Sequence, residues 1–272
     1  VAVEVFYCHA QVLGIPISLY IANHWGWQSP FLMIVALATI IWLVVVLKLQ
    51  PINKHLEVRS DKSAITHLWH TLRLRDYRIG FLSTALMSLG GFMMMPWGSA
   101  FAVNNLGVTY EQLPILFMVG GVSSLFIMPM VGKLSDQFDK FKIFTIAAIW
   151  MMIVVVVYTN LGHVPFWFII LMNIVMMIGI MSRMVPAMAL TSALPQMQDR
   201  GAFMSINSSL QQIAGGIAAA IGGMIVVQPT KTSPLQHYDT LGYLIVGIIT
   251  VNIIMVYRVS EIIKGRKLAA KL

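Results

Sequence analysis

Three apolar stretches of this chain carry polar side chains that hydrocarbon does not accept without a reason. Glu4, His9 and Gln11 fall in the first. A carboxyl and an imidazole at that spacing can form part of a proton relay, or can serve interfacial and helix-packing roles near the start of the stretch. Asn173 and Arg183 fall in a second stretch, and Asn207, Gln211 and Gln212 in a third. A charge near the bilayer centre costs at least about 2.5 to 3.5 kcal/mol, so such groups mark substrate, ion or packing work. Arg183 lies about 10 Å from the end of its stretch at 1.5 Å per residue, which favours helix-end carbonyls or an inner-gate partner over direct substrate contact.

The densest polar constellation is Gly132-Lys133-Leu134-Ser135-Asp136-Gln137-Phe138-Asp139-Lys140-Phe141-Lys142, set between uncharged runs at 113–131 and 143–159. It reads as a membrane-surface hairpin. Gly132 permits a tight bend, and the Asp136 carboxylate can accept backbone N–H groups at the start of a neighbouring helix, where the dipole is positive. Lys140 and Lys142 then sit at an anionic surface, each worth about 1 kcal/mol. Purely topogenic charge is the plain alternative.

Other spacings bear on packing. Gly215, Gly216, Gly222 and Gly223, with Ala219 and Ala220, give overlapping small-xxx-small patterns that let helices approach closely. Met93-Met94-Met95-Pro96-Trp97 offers a soft surface, so Met94 and Trp97 are cavity candidates as well as packing residues. Pro96, Pro129 and Pro186 are expected to kink their helices. There is no phosphate-binding Gly-x-x-x-x-Gly-Lys-Ser/Thr loop, no His-Glu-x-x-His and no Gly-x-Ser-x-Gly elbow. The seven histidines are dispersed and Cys8 is the sole cysteine, so no metal site, cofactor, internal disulfide or enzyme activity is expected.

The elements that must position these residues follow from composition. With 58% hydrophobic and 10% charged residues and a mean hydropathy of +0.81, the chain is an integral membrane protein. The formal charge of +8 sits in short gaps between apolar runs rather than on one face with stacking aromatics, which excludes nucleic acid as a partner. Val1 opens inside an apolar stretch without Met or a basic n-region, so the chain is read as a fragment whose upstream part is missing.

Eight apolar segments run approximately over 1–22, 30–47, 79–101, 113–131, 143–159, 164–190, 202–227 and 241–258. Each must satisfy its own backbone in lipid, so the predicted fold is an all-α integral membrane protein of eight transmembrane helices. Lys48, Lys54, Arg59, Lys62, Arg73, Arg75, Arg78, Lys133, Lys140, Lys142, Arg200, Arg258, Lys264, Arg266, Lys267 and Lys271 all lie in one alternate set of gaps, against Lys231 in the other. The first set and the C-terminus are therefore expected in the cytoplasm, as for a multi-pass protein of a bacterial inner membrane. Trp25, Trp27 and Trp167 fall near the outer boundary. The gap at 48–78 separates two helices (1–47) from six (79–258), with a basic tail at 259–272. It reads as a cytoplasmic hinge between bundles, or as a solvated loop with a snorkelling basic face. Ile65, Leu68, Trp69, Leu72 and Leu74 are spaced so that part of it can lie along the membrane surface.

The charged turn then gains a family. Gly132, Leu134, Ser135, Asp136, Lys140 and Lys142 resemble the Gly-x-Leu-Ala/Ser-Asp-x-x-Gly-Arg/Lys-x-Arg/Lys signature of the major facilitator superfamily, in the copy between helices eight and nine. Asp139 stands where the family usually has Gly. Gly14-Ile15-Pro16 followed by Trp25-Gly26-Trp27-Gln28-Ser29-Pro30-Phe31 resembles the end of helix five in proton-driven efflux members, so Gly14 and Pro16 mark a helix-five motif. Arg200-Gly201 with Asn207 and Gln211 is similar to the entrance of helix eleven, which makes Arg200 an inner-gate candidate beside Arg183. The resemblance implies helices five to twelve of a partial twelve-helix fold, with 48–78 as the linker between halves. It further implies proton-coupled export of a small organic molecule, drug or sugar, by alternating access, from a monomer when full length. Coupled uptake of a sugar or organic acid, and a non-transporting sensor or scaffold on the same fold, are the alternatives.

Overall fold

A computed structural model describes residues 14–48, 64–230 and 232–269. The structure is almost wholly helical, because each long apolar run closes its backbone hydrogen bonds within itself. In chain order the helices are α1 (Ile15–Trp25), α2 (Ser29–Lys48), α3 (Ala64–Arg73), α4 (Arg75–Phe92), α5 (Gly98–Asn104), α6 (Leu113–Gln137), α7 (Lys140–Thr159), α8 (Phe166–Ala193), α9 (Arg200–Ile225) and α10 (Tyr238–Ala269). A single antiparallel bridge, Val227 with Gln236, is the β-pairing among the described residues.

Among the described residues six helical runs are long and apolar enough to cross a membrane: Ser29–Lys48, Arg75–Asn104, Leu113–Gln137, Lys140–Thr159, Phe166–Ala193 and Tyr238–Arg266. The 26 residues of α9 also suffice, at roughly 39 Å, and it falls short only in hydropathy because polar side chains occupy one face. α1 has 11 described residues, and the rest of its apolar stretch lies outside the described set.

Helices α4 to α10 form one bundle. α4 packs on α9 and α10, α7 on α8 and α10, and α8 on α6. Phe144, Val155, Phe203, Leu241, Ile245 and Ile249 are fully buried at its centre. Phe203 stacks on Phe81 and meets Tyr77 edge-on, tying α9 to α4. α2 buries none of its residues and packs on α1, which in turn touches α6. Ile, Val and Leu on its surface are what a lipid-facing helix presents.

The helices overrun the apolar segments. α10 continues without a break to Ala269, so most of the stretch read as a basic tail is the last turns of a helix. α6 runs through to Gln137. Long basic side chains let a helix extend past the hydrocarbon edge. Pro96 does interrupt its run, in a 3₁₀ turn at Met95–Trp97 between α4 and α5. Pro129 and Pro186 lie inside continuous helices.

The alternating loops gather at two ends. At one, Asn105 exchanges two hydrogen bonds with the backbone of Leu235, and Gly107, at φ +81°, lies against the His163 ring. The other end holds the basic gaps. It is referred to below as the basic end.

Candidate functional site

At the basic end the charged turn has a different anatomy from the one its sequence suggests. Gly132 and Asp136 are helical, in the last turns of α6, and no neighbour crowds Gly132. The chain reverses instead at Phe138 and Asp139, whose backbones are extended. Asp139 is an effective N-cap, and a lone Gly132 costs a helix only about 1 kcal/mol, so α6 continues until the cap of α7 takes over. The Asp139 carboxylate accepts the N–H of Phe141 at 2.9 Å and of Lys142 at 3.3 Å. Lys264 Nζ of α10 lies 3.0 Å from its other oxygen.

Burial raises the Asp139 pKa, but the Lys264 bond and the two N–H donors outweigh it and hold the carboxyl below its ordinary value. The Asp136 side chain is 85% exposed and pairs with Lys140 at 3.7 Å, while Lys140 Nζ donates to the Ser135 carbonyl at 2.8 Å. Lys142 is exposed. Asp139 thus caps the helix that follows the turn, a role the sequence reading did not assign.

A second cluster joins four elements at the same end. The Asp199 carboxylate, in a residue only 7% exposed, meets His67 Nε2 at 2.9 Å and accepts Tyr77 O–H at 2.9 Å. Tyr77 Oη accepts the Gln196 N–H at 3.0 Å. Beside it Arg266 donates to the Leu194 carbonyl and to Asp76 Oδ2, both at 2.6 Å. These groups line a cavity of about 650 Å³ with His70, Leu74, Arg75 and Gln198. Sequence reasoning missed it, because His67 and Asp199 are 132 residues apart. The one available signal was the position of Asp199, immediately before the Arg200-Gly201 motif. Arg200 itself is exposed in the first turn of α9.

The intramembrane candidates do not converge on one point. Arg183 is buried in the bundle, over the Phe144 ring at 5.9 Å, and its Nε has no hydrogen-bond partner. Asn173 faces Gly120 of α6. Asn207 is half-buried on α9. Met94 and Trp97 pack against the core, and Trp97 lies on Gly222 and Gly223 of α9. Gly215 meets Phe92, whereas Gly216 has nothing within 4 Å and so takes no part in packing. Gly14 precedes α1 with open space beside it, and Pro16 sits in the first turn. Glu4, His9 and Gln11 lie outside the described residues. Sequence reasoning also missed Asn252, fully buried on α10, whose Nδ2 donates to the Ser83 carbonyl at 2.7 Å. Among the described residues no group of three or more His, Cys, Asp or Glu can hold a metal.

What α9 does present is a stripe of polar and small residues, with Ser205, Ser208 and Gln212 its polar side chains. Gly201, Ser205, Ser208, Gln212 and Gly216 follow at three- and four-residue spacing, all exposed, opposite the buried Phe203, Ala214 and Ala218. Gln211 is exposed one residue from that stripe. Polar groups at membrane depth face a bundle interior or a water-filled cavity.

A family model described as the Major Facilitator Superfamily matches residues 2–219 and, in a second overlapping match, residues 81–266. The chain belongs to the major facilitator superfamily. Residues 81–219 fall in both matches, as expected where a family's halves are structural repeats. This is a family of transporters rather than enzymes. Among solved structures the chain is similar to FucP, a Major Facilitator Superfamily transporter in the outward conformation, with a TM-score of 0.58 and 18% identity over 86% of this chain and 55% of that one. That likeness shows the fold. The chain spans about half the length of FucP.

Proposed function

We propose that this major facilitator chain supplies the second bundle, and the last two helices of the first, of a secondary active transporter that exports a small organic molecule, drug or sugar, in exchange for protons. The observation that carries the reading is the polar stripe of α9 on the side away from its own bundle. In lipid such a stripe is costly, and against a water-filled pathway between two bundles it is favourable. Residues 1–47 are then helices of the first bundle, 48–78 the cytoplasmic linker, and alternating access is one bundle rocking on the other. The basic end faces the cytoplasm of a bacterium, as the bias of Lys and Arg favours.

Ser208, Gln211 and Gln212 are the cavity-facing candidates on α9, whereas Asn207 shares the face of the buried Phe203 and Ala214; Asp136, Lys140, Lys142 and Arg200 are the gate candidates. The test is solute uptake into inverted membrane vesicles bearing the protein in its full-length form. An imposed pH gradient should drive accumulation of at least one member of a drug and sugar panel, and an uncoupler should abolish it. Ser208→Leu with Gln212→Leu should lower turnover at least about tenfold at unchanged membrane abundance, as expected when more than about 1.4 kcal/mol is withdrawn from the transport cycle. A panel without any gradient-driven movement would overturn export.

A further inference from the structure

We infer that α3 is a membrane-surface helix whose Leu68, Trp69 and Leu72 seat in the headgroup boundary of an anionic bilayer leaflet, while its opposite edge is locked to the bundle. Covalent geometry limits how far α3 stands from the membrane-crossing run. α3 ends at Arg73, the membrane-crossing run begins at Arg75, and Leu74 alone, extended at φ −62° and ψ 124°, lies between them. One residue reaches at most about 3.6 Å, so the C-terminal end of α3 stays beside the start of that run, while the contacts of His67 and Thr71 hold its length against the end of the bundle.

Its faces agree with that placement. Thr71 is fully buried against the bundle, and His67 on the same side holds Asp199. Leu68, Trp69 and Leu72 are 38%, 57% and 36% exposed, with Trp69 the most open of the three. Thr66, His70 and Arg73 occupy the remaining edge and are exposed. A Trp flanked by two Leu, beside a polar edge that carries Arg73, is the composition of an interfacial helix.

The charge selects the lipid. Between residues 48 and 78 the sequence has Lys48, Lys54, Arg59, Lys62, Arg73, Arg75 and Arg78 against Glu57, Asp61 and Asp76, and Asp76 is already bound by Arg266. The Arg73 guanidinium lies 5.4 Å from the Trp69 ring centre, which places a cation beside the apolar face, level with lipid phosphates. A leaflet carrying negative headgroups is the surface that complements it. The seating reaches further than α3 itself, because His67 ties the helix to Asp199 at the start of α9. The inference does not depend on whether the protein transports.

Spin labelling tests it on the full chain in nanodiscs. In a Cys8→Ser background, nitroxides are placed singly at Thr66→Cys, Leu68→Cys, Trp69→Cys, His70→Cys, Leu72→Cys and Arg73→Cys. Collision rates are read with oxygen, which concentrates in hydrocarbon, and with a neutral nickel chelate, which stays in water. Positions 68, 69 and 72 should favour oxygen, and 66, 70 and 73 the chelate. Adding phosphatidylglycerol to phosphatidylcholine should shift 68 and 72 deeper, and Arg73→Gln with Arg75→Gln should abolish that shift. Chelate access at all six positions means a solvated linker and overturns the inference. Exclusion of both reagents from 68, 69 and 72 means that protein covers the face, which overturns it equally. The same depth with and without phosphatidylglycerol removes the selection for anionic lipid.

Discussion

At the scale of single residues the decisive group is Asp139, where the family signature usually has Gly. Its carboxylate performs two tasks, capping α7 and binding Lys264 of α10. Asp139→Ala is expected to lower stability by about 1 kcal/mol, the usual cost of an N-cap. Thermal melts of both proteins in detergent measure it. The carboxyl is held below its ordinary pKa in the folded protein. Its contribution is therefore complete above the unfolded value, about pH 4, and is lost as pH falls through the lower folded value. The gap between wild type and Asp139→Ala should close in that acid range and stay constant from there to neutrality.

Tyr77 offers a second test at this scale. Its hydroxyl donates to Asp199 and accepts from Gln196 N–H, so Tyr77→Phe strips a buried carboxylate and a part-buried N–H of a partner. A loss of about 1 to 3 kcal/mol is expected from denaturation in detergent. An unchanged midpoint would mean that His67 and water satisfy Asp199 without it.

At the scale of elements, the contact between α9 and the α4 to α5 break depends on absent side chains. A Cβ at Gly222 would lie 3.0 Å from the Met93 carbonyl, a backbone atom with little room to move, and 3.1 Å from Trp97 Nε1. Gly222→Ala is expected to cost about 1 to 3 kcal/mol by overpacking. Gly216, one and a half turns earlier, meets nothing within 4 Å. There alanine should be neutral or gain up to about 1 kcal/mol through helix propensity. Parallel melts of the two variants read the contrast. The repeated glycines were visible in the sequence, but their spacing gave both members of each pair the same role. Only the rotation of α9 about its axis separates Gly215, Gly222 and Gly223, which meet Phe92, Met93 and Trp97, from Gly216, which opens on the polar face.

At the scale of the whole molecule, the basic gaps do come together at one end. Asp139 with Lys264, Asp76 with Arg266 and His67 with Asp199 each join loops or helix ends from different gaps. If that end is cytoplasmic, alkaline phosphatase fused after residue 272 stays inactive and a fusion within 228–240 is active. The reverse pattern would invert the proposed topology.

The family was legible in the sequence only through the resemblance of the Gly132–Lys142 turn to a known signature. The spans and their alternation were legible for one reason. Lipid forces each crossing segment to satisfy its backbone locally, so length, apolarity and the placement of Lys and Arg carry the information in short windows. Tertiary structure alone decided the rest. Asp199 with His67, Arg266 with Asp76 and Asn252 with Ser83 span 132, 190 and 169 residues, and no local pattern encodes them. The charged turn lies between the two cases. Its existence was local and plain, but that Asp139 would cap the next helix depended on where α6 stopped, and the placement of Lys264 at the end of α10 gave Asp139 its partner.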